Sequence, residues 1–326
     1  MTTYVGADIS KDYYDVALMQ AEDLVDEAQF DNTKEGFRQF GRWLKKRRSE
    51  DTHVVMEATG MYGEALAEWL YEKGYAVSVV NPAQIKAYSQ AQLRRAKTDK
   101  ADARLIADFA RTQRPRLWTP PPPEIKRLRA LVRYMNALQN EYQRERNREH
   151  AQQLADMKAM HGEHIAYLKA KIAEVKALID AHIQAHPALA DTVKLLMTIK
   201  SVGPLVAWHF VAEVDITRFS SAKELVAFLG LNPHINRSGK RQKTPSPISK
   251  MGNPALRRVL YMPTQSAKRF NLPVQVFYDR LIANGKHSAV ATIAAMRKLV
   301  HIIYGVWKSG QPFDPHYETF QHALVA

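Results

Sequence analysis

Along the first hundred residues the apolar positions switch between two periods. Thr3-Tyr-Val-Gly-Ala-Asp-Ile9 and Asp15-Val-Ala-Leu-Met19 are short apolar runs of strand length, joined by a turn through Ser10-Lys11-Asp12, and Phe30 is placed on a third strand. Phe37, Phe40 and Leu44 recur at helical spacing and predict a helix over 34–48 with a basic end, Lys45-Lys46-Arg47-Arg48. His53-Val-Val-Met-Glu57 returns to the strand pattern and closes on Ala58-Thr59-Gly60. A second helix carries Leu66, Trp69 and Leu70, and Ala76-Val-Ser-Val-Val80 is another strand, ended by Asn81-Pro82. Strands alternating with helices predict an α/β layer with a partly parallel sheet.

The order strand, strand, strand, helix, strand, helix, strand suits a ribonuclease-H-like sheet. Pro120-Pro121-Pro122-Pro123 cannot be helical and reads as a stiff extended spacer, which predicts a domain boundary. Beyond it the pattern turns helical. Ile125, Leu128, Val132, Met135 and Tyr142 keep a spacing of three and four, as do Ile165, Leu168, Ile172, Val175 and Ile179. A break near His161-Gly162 separates two helices and predicts an antiparallel hairpin or an intermolecular coiled coil. The Arg127, Arg129, Arg133, Arg144, Arg146, Arg148 series fits a solvated face or a track for a nucleic-acid backbone. Pro187 ends the helical stretch. Short helices follow over 191–230, with Ile199-Lys-Ser-Val-Gly203 as a turn that fits a helix-hairpin-helix or a plain helical hairpin. Helices over about 276–283 and 288–308 carry Leu281, Ile282, Ile293, Met296, Leu299, Ile303 and Trp307 at core spacing. The expected domains are 1–119, an α/β catalytic domain; 120–190, a helical coiled-coil arm; and 191–326, a mainly α-helical domain.

Charge narrows the partners. The 326 residues hold 47 Lys and Arg against 33 Asp and Glu, a net charge of +14, which favours a polyanion. The chain has no cysteine, so disulfides and thiolate zinc sites are excluded. The N-terminus runs straight into a strand without a secretory leader, and no apolar run reaches the roughly 18 residues of a membrane span. A cytoplasmic protein with no membrane partner is expected.

The candidate chemistry lies in acids and in their local absence. Lys97-Thr98-Asp99-Lys100-Ala101-Asp102-Ala103-Arg104 places two carboxylates three residues apart, on one face of a helix start. Asp99 as N-cap and Asp102 in the first turn would explain them structurally. Asp8 and Glu57 each end a strand, where active sites of open α/β sheets sit; a turn-forming Asp and a surface Glu are the plain alternatives. Clustered carboxylates repel unless cations neutralise them, and all-oxygen donors suit Mg²⁺ or Mn²⁺. From Leu225 to Tyr278 there is no acid, while nine bases occur there: Arg237, Lys240, Arg241, Lys243, Lys250, Arg257, Arg258, Lys268 and Arg269. This is an electrostatic footprint for phosphate. Ser238 lies among them, in a breaker-rich loop over 236–247 that supplies no His or Asp partner of the triad type.

Several of these stretches together resemble a known family. They are Val5-Gly-Ala-Asp-Ile-Ser-Lys11, Glu57-Ala-Thr-Gly-Met-Tyr62, Asn81-Pro82, Lys97-Thr-Asp-Lys-Ala-Asp-Ala103, Gly230-Leu-Asn-Pro233, Ser238-Gly239 and Ile248-Ser-Lys-Met-Gly-Asn253 running into Leu256-Arg-Arg-Val-Leu-Tyr261. In order and spacing they resemble the DEDD-type transposases of bacterial insertion sequences, related to the pilin-gene invertases. The resemblance implies a RuvC-like N-terminal domain with Asp8, Glu57, Asp99 and Asp102 as ligands of Mg²⁺ (or Mn²⁺), and a C-terminal transposase domain with Ser238 as nucleophile. It implies recombination of donor and target DNA through a phosphoserine, guided by a structured bridge RNA. It also implies a homo-oligomer, dimer or tetramer, with active sites completed in trans. In one departure, the turn that usually reads Pro-Gly in the family is Lys200-Ser201 here. The competing reading is a RuvC-like metal-dependent nuclease, such as a junction resolvase, that activates water with the same carboxylates; a third is a non-catalytic nucleic-acid-binding protein.

Overall fold

The computed structural model describes residues 3–47, 51–58, 60, 62–92, 99–233, 237–238, 241–242 and 248–316, with backbone only at 99–100, 237–238 and 241–242. The chain divides into two compact units, Met1–Pro121 and Pro122–Ala326.

The first unit is built on a five-stranded sheet with strand order β3-β2-β1-β4-β5. Strands β1 (Thr3–Ile9), β2 (Tyr13–Gln20) and β3 (Asp23–Asp31) form an antiparallel meander; β4 (Thr52–Glu57) and β5 (Ala76–Val80) extend it in parallel beside β1. This is the mixed sheet with helices that the strand order predicted. Helices α1 (Lys34–Lys46) and α2 (Glu64–Glu72) cover one face, where Val5, Ala7, Ile9, Val16, Leu18, Val54 and Met56 meet Phe37, Phe40, Leu66 and Leu70. Helices α3 (Pro82–Ala91) and α4 (Asp99–Gln113) cover the other, where Val55 and Val80 meet Ile85, Leu105, Ile106 and Phe109. The period-two alternation sorts the strands between two cores. Gly6 sets the seat of α4: a Cβ there would lie 2.2 Å from the Ala103 carbonyl oxygen and 2.3 Å from the Ala107 nitrogen. The edge strand β3 buries none of its residues fully, so its sequence keeps acids and an amide where a core strand would alternate apolar side chains.

Among the described residues the second unit is helical apart from a short hairpin. Helices α5 (Pro123–Ala151) and α6 (Ala155–Gln184) pack antiparallel, with His161 against Glu145 near one end and His182 against Glu124 near the other. The break falls at 152–154 and not at His161-Gly162. The Gln152 side chain accepts the Gln153 and Leu154 backbone N–H groups, turning the chain, whereas Gly162 stays helical beside Glu149. Next come α7 (Pro187–Met197), α8 (Pro204–Glu213), a 3-10 turn (Ile216–Arg218), α9 (Ala222–Phe228), β6 (Arg237–Ser238), β7 (Arg241–Gln242), α10 (Pro254–Phe270), α11 (Leu272–Ala283) and α12 (Ser288–Ser309). One core joins Leu128, Val132 and Met135 of α5 to Val206, Phe210, Leu256, Leu260, Leu299 and Ile303. By length and composition alone α12 is apolar enough to cross a membrane, against the sequence expectation. Its Ala291, Ala295, Leu299, Val300 and Ile303 are buried in the helical unit, which accounts for the apolarity.

Candidate active site

The register of the sheet lines up a row of polar side chains. Asp8 faces Asp15 across β1 and β2, and Asp15 faces Gln29 across β2 and β3. Ala7 pairs with Met56, so Asp8 and Glu57 occupy the next step at the carboxyl ends of parallel neighbours. Val5, Ala7 and Met56 point into the α1 and α2 core, while Tyr4 and Val55 point into the α3 and α4 core. By alternation Asp8 and Glu57 share the face that α4 covers. Both are half-buried.

The direction of α4 follows from its ion pairs. Arg104 grips the Glu27 carboxylate with two donors, level with mid-sheet, since Glu27 pairs with Ala17 and Ala17 with Gly6. Arg111 lies 3.8 Å from Glu22, in the turn beyond Gln20, the partner of Thr3. The helix therefore runs antiparallel to β1, and its first turn, with Asp99 and Asp102, crosses the end of the sheet that bears Asp8 and Glu57. Asp102 is half-buried, and the Asp99 side chain lies outside the described residues. Among the described residues no three His, Asp or Glu side chains lie close enough to hold one ion. The fold thus brings Asp8 and Glu57 to one face and puts the first turn of α4 above them. Sequence reasoning passed over Asp15, taken there only as the start of a strand. Its signal was a carboxylate at a position where alternation buries the side chain.

In the second unit Ser238 pairs through its backbone with Arg241, and Arg237 with Gln242. Their side chains, and all of Lys240 and Lys243, lie outside the described residues. The chain is tied together where it enters and leaves this stretch. Pro233 bridges Ile248, the Ser249 N–H donates to the Asn232 carbonyl, the Lys250 N–H to Gly230 and the Asn253 N–H to Phe228. Arg257 donates one guanidinium nitrogen to both Leu229 O (2.8 Å) and Gly252 O (3.1 Å), tying the entering strand to the returning one. Gly252 has φ +156°, and a Cβ there would lie 2.2 Å from Phe228 O. Arg258 donates to Asn140 Oδ1, and Lys250 is exposed. Of the expected phosphate contacts, Arg257 is therefore engaged with the protein as a clamp.

The family model described as the transposase of DEDD IS110 type matches residues 5–158, and that of the transposase IS116/IS110/IS902 family matches residues 193–279. The pilin gene-inverting proteins of Moraxella bovis and Moraxella lacunata are each 32% identical to the chain over 316 residues, 96% of this chain and 98% of theirs. Among solved structures, RuvC of Thermus thermophilus covers 36% of this chain and all of its own, at 17% identity and a TM-score of 0.29. RuvC of T. thermophilus in complex with a Holliday junction substrate has the same coverage and TM-score at 16% identity.

Proposed function

The chain belongs to the IS110-type transposase family, with the pilin gene-inverting proteins among its relatives, and from that premise we propose that it cuts and rejoins DNA through a phosphoserine formed on Ser238. One observation carries the reading on the metal side. Asp8 and Glu57 share one face at the carboxyl ends of adjacent parallel strands, beneath the helix turn that bears Asp99 and Asp102. The donor set is all carboxylate, which fits a hard divalent cation, Mg²⁺ or Mn²⁺. Asp8, Glu57, Asp99 and Asp102 would hold it. When bound, the ion supplies charge neutralisation at the scissile phosphate and eases loss of the serine proton.

The protein's own part is a pair of transesterifications. Ser238 Oγ attacks the scissile phosphorus, the bond from phosphorus to O3′ breaks, and the freed 3′-hydroxyl takes up a proton. A 3′-hydroxyl from another strand then attacks the phosphoserine and expels Ser238. The phosphodiester energy is held in the ester, so rejoining needs no external supply. Arg237, Lys240, Arg241, Lys243, Lys250 and Arg258 stand in the acid-free stretch and would offset charge on the transition state and the backbone. Arg257 contributes by holding the loop base. A structured bridge RNA, which the family resemblance implies, would pair with donor and target, and the charge of +14 is compatible with polyanionic partners. The carboxylates and Ser238 stand on separate compact units, and protomers of an oligomer would complete each other's active sites, as the family resemblance implies.

The test incubates the full chain with its element's DNA ends, guide RNA and Mg²⁺, followed by denaturation and a search for protein covalently attached to DNA. Wild type is expected to give the adduct, and Ser238→Ala and Asp102→Ala to lose it. Cleaved DNA without an adduct, indifferent to Ser238→Ala, would replace the proposal with a water-activating nuclease.

A further inference from the structure

Resting on the reading of Asp8 and Glu57 as cation ligands, we infer that Asp15 is a positioning residue of the same divalent-cation site. It flanks Asp8, fixes its place in the row and adds its own charge to the field at the ion.

The register comes first. Asp15 stands directly opposite Asp8 in the antiparallel pair of β1 and β2. Directly opposed side chains share a face, with Cβ atoms about 5 Å apart, and like charges so placed repel. That face is the one under α4, because Ala17, two residues on, packs against Ala103 and Ala107. Burial comes second. Asp15 is only 3% exposed. Its hydrogen-bond partner among the described residues is the Gln29 amide, whose Nε2 donates to Oδ1 at 3.3 Å and Oδ2 at 3.2 Å. No Lys, Arg or His among the described residues forms an ion pair with it.

A buried carboxylate beside another carboxylate, with a neutral amide as partner, is costly unless a cation lies near. The sheet itself does not call for an acid here: the next residues on this face of β2, Ala17 and Met19, are apolar. The row Gln29, Asp15, Asp8, Glu57 therefore runs from a neutral orienting amide to carboxylates placed for an ion. Asp15 acts through Asp8 rather than as a ligand, because both of its oxygens are already engaged by the Gln29 amide. Such flanking groups orient ligands and tune affinity.

The experiment measures Mn²⁺ binding to the full-length protein by the electron paramagnetic resonance signal of free Mn²⁺, with melting in EDTA as the check on folding. Asp15→Asn is expected to weaken Mn²⁺ binding about ten-fold or more. Its melting temperature in EDTA is expected to equal or exceed that of wild type, since a repulsive pair has been removed. Asp8→Asn is the control. An Asp15→Asn protein that binds Mn²⁺ within about two-fold of wild type, while Asp8→Asn has lost it, overturns the inference and leaves the cation reading standing. Wild-type binding in Asp8→Asn overturns the cation reading and the inference with it. If Asp15→Asn fails to fold, Gln29→Ala decides: a loss in the same direction supports the role, and unchanged affinity overturns it.

Discussion

Two single positions show how closely side-chain choice and backbone are matched. Gly6 is where α4 meets the sheet, and the atoms that a Cβ would strike are backbone, so no rotamer change relieves the clash. Gly6→Ala should cost about 1–3 kcal/mol as α4 is pushed outward. The measurement is the urea midpoint; a midpoint equal to wild type would mean that the helix seats with room to spare. The second position is Ser201, in the turn between α7 and α8. It holds φ +86°, and its buried Oγ has no hydrogen-bond partner among the described residues. Gly would adopt that backbone freely and remove the unpaired hydroxyl, with its own loss of chain entropy as offset. Ser201→Gly should therefore stabilise the protein by about 1 kcal/mol, read as a rise in the same midpoint; a fall would show that the hydroxyl has a role the hydrogen bonds do not reveal. The departure at Lys200-Ser201 was visible in the sequence, but its left-handed backbone was not, because nothing in Lys-Ser requires positive φ.

At the scale of elements, the loop around Ser238 depends on a base assembled from distant residues. Arg257 on α10 links Leu229 O to Gly252 O, and the Lys250 N–H reaches Gly230. Arg257→Ala removes both links while α10 keeps its Asn253 cap and its buried Leu256 and Leu260. The segment between Pro233 and Ile248 should then be cut faster by a limiting protease, with the global melt nearly unchanged. Equal cutting rates in variant and wild type would remove Arg257 from this role. The sequence marked Arg257 as a base but could not distinguish a phosphate contact from a clamp, since that depends on carbonyls 28 and 5 residues away in the chain. The hairpin of α5 and α6 shows the same limit. Its existence was legible from the three-and-four spacing, whereas its turn was misplaced, because Gly162 is a stronger breaker signal than the Gln152 side chain that makes the turn. Asp15 was missed for a related reason. Alternation gave its face, but its opposition to Asp8 exists only once β1 and β2 are in register.

Over the whole molecule, the class of fold was readable because period two alternates with period three and four in the first unit and the three-and-four spacing runs on through the second, and because Asp8 and Glu57 fall at the ends of their strands. The state of buried ionisable groups was not readable, since it depends on packing. His53 in the first unit and His209 and His301 in the second all have their pKa pushed below the ordinary value, in each case chiefly by burial. Asp51 partly opposes the shift at His53; the Leu205 carbonyl and Glu213 oppose it at His209, while Arg258 adds to it; Arg297, Lys298 and Lys223 add to it at His301. Below the unfolded value near 6.5 the unfolded chain takes up protons that these folded imidazoles refuse. Stability from these groups is therefore complete above about pH 6.5 and declines as pH falls toward the folded values. The melting temperature is expected to drop between about pH 7 and pH 5, and His209→Gln, which keeps a polar side chain beside Asn136 but cannot titrate, is expected to flatten that slope. A profile level over this window, or a slope unaltered in His209→Gln, would mean that the imidazole is protonated as readily in the folded protein as in the unfolded chain.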